Sequence, residues 1–224
     1  MALILNIETS ASLCSVCLAE DGKVIHEIRA NEANQHAKIL TLQIEQLFRE
    51  THKTLQQSDA IALSSGPGSY TGLRIGASVA KGLCYALDKP LIAVSTLQSL
   101  AFQMKNVELR QTKGCFFLPV IEARKGAFYC ALYDETLAII EPETYCKNAD
   151  TIPFPVNIEN TFTSFPSERL EILKINNTFG WTVAGINPTA SNLASLSFER
   201  FSSRKFENIT LFEPNYITGF GNHL

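Results

Sequence analysis

Positive charge is in short supply in this sequence. Lys and Arg total 19 against 22 Asp and Glu over 224 residues, a formal net charge of −3. A protein that holds nucleic acid unaided does so on a basic surface that displaces counterions from phosphates, so strong independent binding of that kind is excluded. Histidine is scarce as well: His26, His36, His52 and His223 are all there are, and no two lie three or four residues apart. The helical pairing that puts two imidazoles on one face of a metal site is therefore missing, and neither metal nor cofactor is expected. Long apolar runs are absent too. Met1 to Ile7 is apolar but has no basic leader and meets Glu8 too soon for a signal peptide or a membrane span, so it reads as a buried strand of a cytoplasmic protein. Six cysteines are present. In a chain of this size without an export signal they are expected to be reduced thiols rather than a disulfide framework.

What the sequence does have is apolar residues in short, periodic blocks, 46% of the total against 18% charged, which excludes disorder and simple coiled coil. Ala2–Ile7, Leu13–Leu18 and Val24–Ile28 read as three strands of an antiparallel meander, with turns at Thr9-Ser10-Ala11-Ser12 and Asp21-Gly22. Asn34–Glu50 reads as a helix N-capped by Asn34, with Leu40, Ile44, Leu47 and Phe48 on one face and Ile39 and Leu42 off it. A strand at Ala60–Ser64, a helix at about Thr71–Leu87, a strand at Leu91–Val94 and a helix from Ser95 follow. Cys115–Ile121, a turn at Glu122 to Gly126, and Ala127–Tyr133 then repeat the opening. At an offset of 114, Ile7-Glu8 falls on Ile121-Glu122, Leu18 on Leu132 and Asp21 on Glu135. The repeated order of elements predicts a duplicated α/β chain of the actin-like, sugar-kinase and Hsp70 type (ASKHA). Its two domains, with mixed sheets flanked by helices, are expected at 1–104 and at 105–224, the second shorter and divergent. Loops and short edge strands are expected over Asn148–Ser167, and a last helix from Pro188-Thr189 to about Phe201.

Chemistry is thin. Gly66-Pro67-Gly68-Ser69-Tyr70-Thr71-Gly72-Leu73-Arg74-Ile75-Gly76 lies between a strand and a helix, where backbone N–H groups attract anions. It lacks the lysine and following hydroxyl of a phosphate loop and the spacing of a dinucleotide fingerprint. The competing reading makes Gly66 and Gly68 a tight turn, and Gly72, Gly76 and Ala80 a small-residue stripe for a closely packed helix, in the same chain or across an interface. Glu8, Thr9, Ser10, Glu122 and Arg124 occupy the turns that hold phosphate and magnesium in active actin-like ATPases. The first turn, Thr9-Ser10-Ala11-Ser12, has no glycine and the second has Arg124-Lys125 in its place, so at most a degenerate nucleotide site is expected. Cys14-Ser15-Val16-Cys17 has metal-knuckle spacing, but strand residues three apart face opposite ways, so packing is expected instead. No nucleophile and base for peptidase chemistry can be picked out.

The run GPGSYTGLRIG closely resembles the GPGSFTGLRIG signature of the TsaB (YeaZ) family, found under an old glycoprotease label. Ile4-Leu5-Asn6-Ile7-Glu8-Thr9-Ser10, Asn34-Gln35-His36-Ala37 and Ile121-Glu122-Ala123-Arg124 resemble further family segments in the same order. Glu8 and Glu122 stand where aspartate is usual, and the tail Pro214 to Thr218 lacks the arginine usual after its tyrosine. The resemblance implies a non-catalytic dimerisation subunit of tRNA threonylcarbamoyladenosine (t6A) synthesis. Its partners would be a TsaD-like catalytic subunit and a TsaE-like P-loop ATPase, with tRNA met only through the complex and a homodimer when the partner is absent. It further implies that the helices at Asn34 and after the glycine turn form the interface, with Ile39, Leu42, Gly68, Tyr70, Thr71, Gly72, Arg74, Ile75, Gly76, Val79 and Ala80 its contact residues. The alternative is an independent actin-like ATPase or small-molecule kinase.

Overall fold

The computed structural model describes residues 1–30, 36–107, 114–148, 161–164, 182–184 and 186–217. Its elements in the first part of the chain are β1 (Leu3–Glu8), β2 (Cys14–Glu20), β3 (Lys23–Ala30), α1 (His36–Glu50), β4 (Ala60–Ser64), α2 (Tyr70–Leu87), β5 (Leu91–Val94) and α3 (Thr96–Val107). The rest are β6 (Phe116–Glu122), β7 (Phe128–Tyr133), β8 (Ile139–Cys146), β9 (Thr161–Ser164), β10 (Thr182–Ala184) and α4 (Ala194–Ser202). Asn34, the expected cap of α1, lies outside the described residues.

The strands form two sheets with one order, β3-β2-β1-β4-β5 and β8-β7-β6-β9-β10. In each, three strands form an antiparallel meander and the last two extend it in parallel. Adding 114 to the end of β1 at Glu8 gives Glu122, the end of β6, so the duplication seen in the sequence is a duplication of sheets.

In the first sheet the central strands are nearly all apolar, as strands covered on both faces must be. Leu5, Ile7, Cys14, Val16 and Leu18 face α1 and α2, where Leu40, Ile44, Leu47, Phe48, Ala77, Ala80 and Cys84 close one core. Cys17 and Ala19 point the other way, to Ala190 and Ala194. Cys14 and Cys17 are thus buried on opposite faces, the disposition their spacing predicts.

The boundary expected near residue 104 falls elsewhere. The first compact unit is Met1–Thr96 together with Pro188–Asn215, and the second contains Leu97–Asn187. Polar anchors on the far face of the first sheet draw the returning segment in: the Ser15 hydroxyl accepts from the Ala190 amide at 2.8 Å, and the Ser197 hydroxyl donates to Asn6 Oδ1 at 2.7 Å, both buried. Farther along, Lys81 of α2 donates to the Thr210 and Phe212 carbonyls, and the Asn215 amide donates to the Ser65 carbonyl. The chain as far as Asn215 therefore has a structural place in the first unit.

In the second unit β9 is an interior strand rather than the expected edge strand. Its buried residues are polar, and two are bonded to β6: Thr163 Oγ1 donates to the Leu118 carbonyl, and Ser164 Oγ accepts from the Val120 amide. Such a strand does not advertise its burial by hydrophobicity. Most of the remainder of the stretch expected as loops lies outside the described residues.

Candidate functional site

The glycine-rich segment leaves β4 at Ser64 and enters α2 through Ser69, whose hydroxyl accepts from the Gly72 amide at 3.3 Å as the helix cap. The Ser69 amide donates to the Ser10 carbonyl at 2.7 Å, tying the entrance of α2 to the β1–β2 turn. The close approach continues down the helix. A Cβ at Gly68 would fall 2.4 Å from the Ser10 carbonyl oxygen, one at Gly72 2.0 Å from the Thr9 carbonyl oxygen, and one at Gly76 2.3 Å from Thr9 Oγ1. The bare column is the seat of the chain's own first turn.

This corrects part of the expected interface. Gly72, Gly76 and Ala80 are buried within the first unit, Ala80 in the apolar core, and Gly68 is packed on Ser10. Four-residue spacing of small side chains signals that something approaches closely, but not what approaches.

The same seating encloses the first three residues expected of a degenerate nucleotide site. Glu8, Thr9 and Ser10 are at most 2% exposed. Glu8 Oε1 accepts from the Ser10 amide at 2.6 Å and from the Ser64 hydroxyl at 2.8 Å, which joins the end of β1 to the end of β4. Oε2 and the Ser10 hydroxyl are buried without a well-aligned hydrogen bond. Burial pushes the Glu8 carboxyl above its ordinary range, opposed by the Ser10 hydroxyl and amide and by the Ser64 hydroxyl. The other two candidates lie in the second unit and face solvent, Glu122 at the end of β6 and Arg124 on the turn Arg124–Gly126 that follows, where Lys125 takes a left-handed conformation (φ 61°).

A raised carboxyl pKa makes the folded state hold its proton more tightly than the unfolded chain. The stability tied to Glu8 is therefore complete below its unfolded value and is lost as pH rises through the folded one. Glu8→Gln keeps an acceptor for Ser10 and Ser64 and removes the charge. Its melting temperature is expected to exceed that of the unaltered chain by roughly 2–4 °C at about pH 8, corresponding to ~1 kcal/mol in a chain of this size. The gap should close toward about pH 4, where the free carboxyl is itself protonated. A gap that widens on acidification would refute this account of Glu8.

The opposite face of α2 is open. Tyr70 is 46% exposed, and the Arg74 guanidinium stands 4.2 Å from the centre of its ring, in cation–π contact. With Thr71, Ile75, Ser78 and Val79 they line a shallow depression of about 480 Å³. On α1, Leu42 is 62% exposed and Ile39 partly buried against the core. Seven of the expected contact residues, Ile39, Leu42, Tyr70, Thr71, Arg74, Ile75 and Val79, thus reach solvent wholly or in part, whereas the glycines and Ala80 serve the interior. Ser64, Ser15, Asn6 and Ser197 escaped the sequence reading because their partners are 56 to 191 residues distant, or answer only to tertiary contact. Among the described residues no helix is long and apolar enough to cross a membrane.

Two sheets of duplicated order, each a meander extended in parallel and flanked by helices, define an actin-like (ASKHA) protein, here with its β1–β2 turn seated on its own helix α2. A solved structure with that fold, an activator of 2-hydroxyisocaproyl-CoA dehydratase from Clostridium difficile, superimposes with a TM-score of 0.53 over 92% of this chain and 98% of that one, at 8% identity. YeaZ from Pseudomonas aeruginosa is far more similar, with a TM-score of 0.79 and 25% identity over 97% of this chain and all of that one. A family model described as "TsaD: tRNA N6-adenosine threonylcarbamoyltransferase" matches residues 23–214. The tRNA threonylcarbamoyladenosine biosynthesis protein TsaB of Bacillus subtilis is 30% identical over 206 residues, 88% of this chain and 87% of that protein. The chain belongs to the TsaB (YeaZ) family, and its part is in the biosynthesis of t6A.

Proposed function

We propose that this chain is a non-catalytic subunit of t6A synthesis in the cytoplasm. It docks a TsaD-like catalytic chain on the outer face of α1 and α2 and, with that partner, meets a TsaE-like ATPase. tRNA is engaged only in the assembly, and without the catalytic chain the same face lets two copies pair. The observation that carries this reading is the two-sidedness of α2. Its inner column is glycine filled by the chain's own turn, while its outer column offers Tyr70, Arg74, Ile75 and Val79 around a shallow depression. Tyrosine and arginine beside apolar neighbours are the composition of interface centres.

Co-expression with a TsaD-like chain, followed by measurement of the mass of the purified species, tests the reading. One species containing both chains is expected; two independently eluting proteins would overturn it. The rival reading, an independent ATPase or small-molecule kinase, needs a phosphate turn open to ligand, and Glu8, Thr9 and Ser10 are enclosed. Calorimetry of the isolated chain with Mg-ATP is therefore expected to show neither binding heat nor turnover. Micromolar binding with hydrolysis would favour the rival.

A further inference from the structure

Two of the six cysteines lie against each other in the second unit. Cys130 of β7 and Cys146 at the end of β8 bring their sulfurs to 3.2 Å. Cys146 is paired across the ladder with Phe128 and Cys130 with Thr144, so the thiols form a diagonal pair on one side of two antiparallel strands. Both are at most 2% exposed. No other cysteines are placed this way: Cys14 and Cys17 face opposite sides of a sheet, and Cys84 and Cys115 belong to different units.

We propose that Cys130 and Cys146 form an oxidative modification site, at which a small peroxide closes an internal disulfide that ties edge strand β8 to β7. Bringing the sulfurs from contact to the bonded distance of about 2.05 Å needs a movement of about 1 Å, within the reach of side-chain rotation. Cys146 is the first nucleophile. The hydrogen bond from the Cys130 thiol holds the Cys146 thiol below its ordinary range, while the same contact, with burial, raises that of Cys130. Cys146 is also followed directly by exposed Lys147 at the end of the strand. Its thiolate attacks one peroxide oxygen, the O–O bond breaks, and water leaves after taking the thiol proton, giving a sulfenic acid. The Cys130 sulfur then attacks the oxidised sulfur, the S–O bond breaks, and the Cys130 proton departs with the hydroxide as a second water. The thiol pair loses two electrons and the peroxide gains them.

The test is treatment of the folded full-length chain with hydrogen peroxide, followed by thiol titration in denaturant and peptide mapping. Expected are loss of two of the six thiols, a mass lower by two hydrogens, a linked peptide containing Cys130 and Cys146, and a higher melting temperature reversed by dithiothreitol. Cys146→Ser should abolish the link. Because the wild-type peptide map stands alone, instability of that variant leaves the test intact. Six surviving thiols, a link between any other pair, or sulfinic acid without a link would each overturn the proposal.

Discussion

Gly72→Ala is expected to destabilise the first unit by about 3 kcal/mol, the upper end of what overpacking a core costs, and to lower the melting temperature by roughly 10 °C. The added methyl has nowhere to go. It would meet the Thr9 carbonyl oxygen at 2.0 Å, and that oxygen belongs to the backbone of the β1–β2 turn. A flexible side chain would yield by rotating, but a backbone carbonyl yields only if the turn and the helix part. Parting them breaks the Ser69-to-Ser10 hydrogen bond and exposes the enclosed Glu8. Alanine at a helix interior is otherwise worth about 1 kcal/mol over glycine, so the loss must exceed that gain to be seen at all. Gly82 supplies the internal contrast. It lies on the same helix with nothing within 4 Å of its would-be Cβ, and Gly82→Ala should stabilise by roughly 0.5–1 kcal/mol. Chemical denaturation of the two variants measures both signs, and a Gly72→Ala chain as stable as the parent would show that the glycine column is not the seat of the turn.

That result bears on how the sequence can be read. Strand and helix order was legible because the elements of the first unit announce themselves: short apolar blocks in β1, β2 and β4, four apolar residues on one face of α1, small residues at four-residue spacing in α2. The duplication was legible because Ile7-Glu8 and Ile121-Glu122 end equivalent strands. The glycine column was legible as a close approach, but its occupant was not, because the turn it receives is 58 residues upstream or more and carries only Thr9 and Ser10 as clues. Equally hidden was the return of Pro188–Asn215 to the first unit: its buried Ala190 and Ala194 do not say which sheet they meet, and its polar ties, the Ala190 amide to Ser15 and the Ser197 hydroxyl to Asn6, are single bonds across most of the chain. Sequence periodicity reports what each element buries, and pairing across long separations is decided by groups too small to show in it.

The division of α2 into two faces makes the partner test sharp. A Tyr70→Ala, Arg74→Ala double variant is expected to weaken binding of a TsaD-like chain at least ~30-fold, since truncating interface residues of this kind costs about 2 kcal/mol or more. The melting temperature should move by less than ~2 °C, because both side chains are exposed and neither belongs to the core. Ile75 and Val79 would be poorer probes: they pack partly on the core, so a polar residue there confounds binding with folding. The inner column fails in the opposite way, as Gly76→Leu would drive a side chain into Thr9 and lose the partner only by losing the fold. Titration calorimetry on the double variant separates the two faces. Affinity equal to that of the parent, in a chain that melts as the parent does, would mean that the Tyr70–Arg74 pair is surface without a partner and that the docking face lies elsewhere.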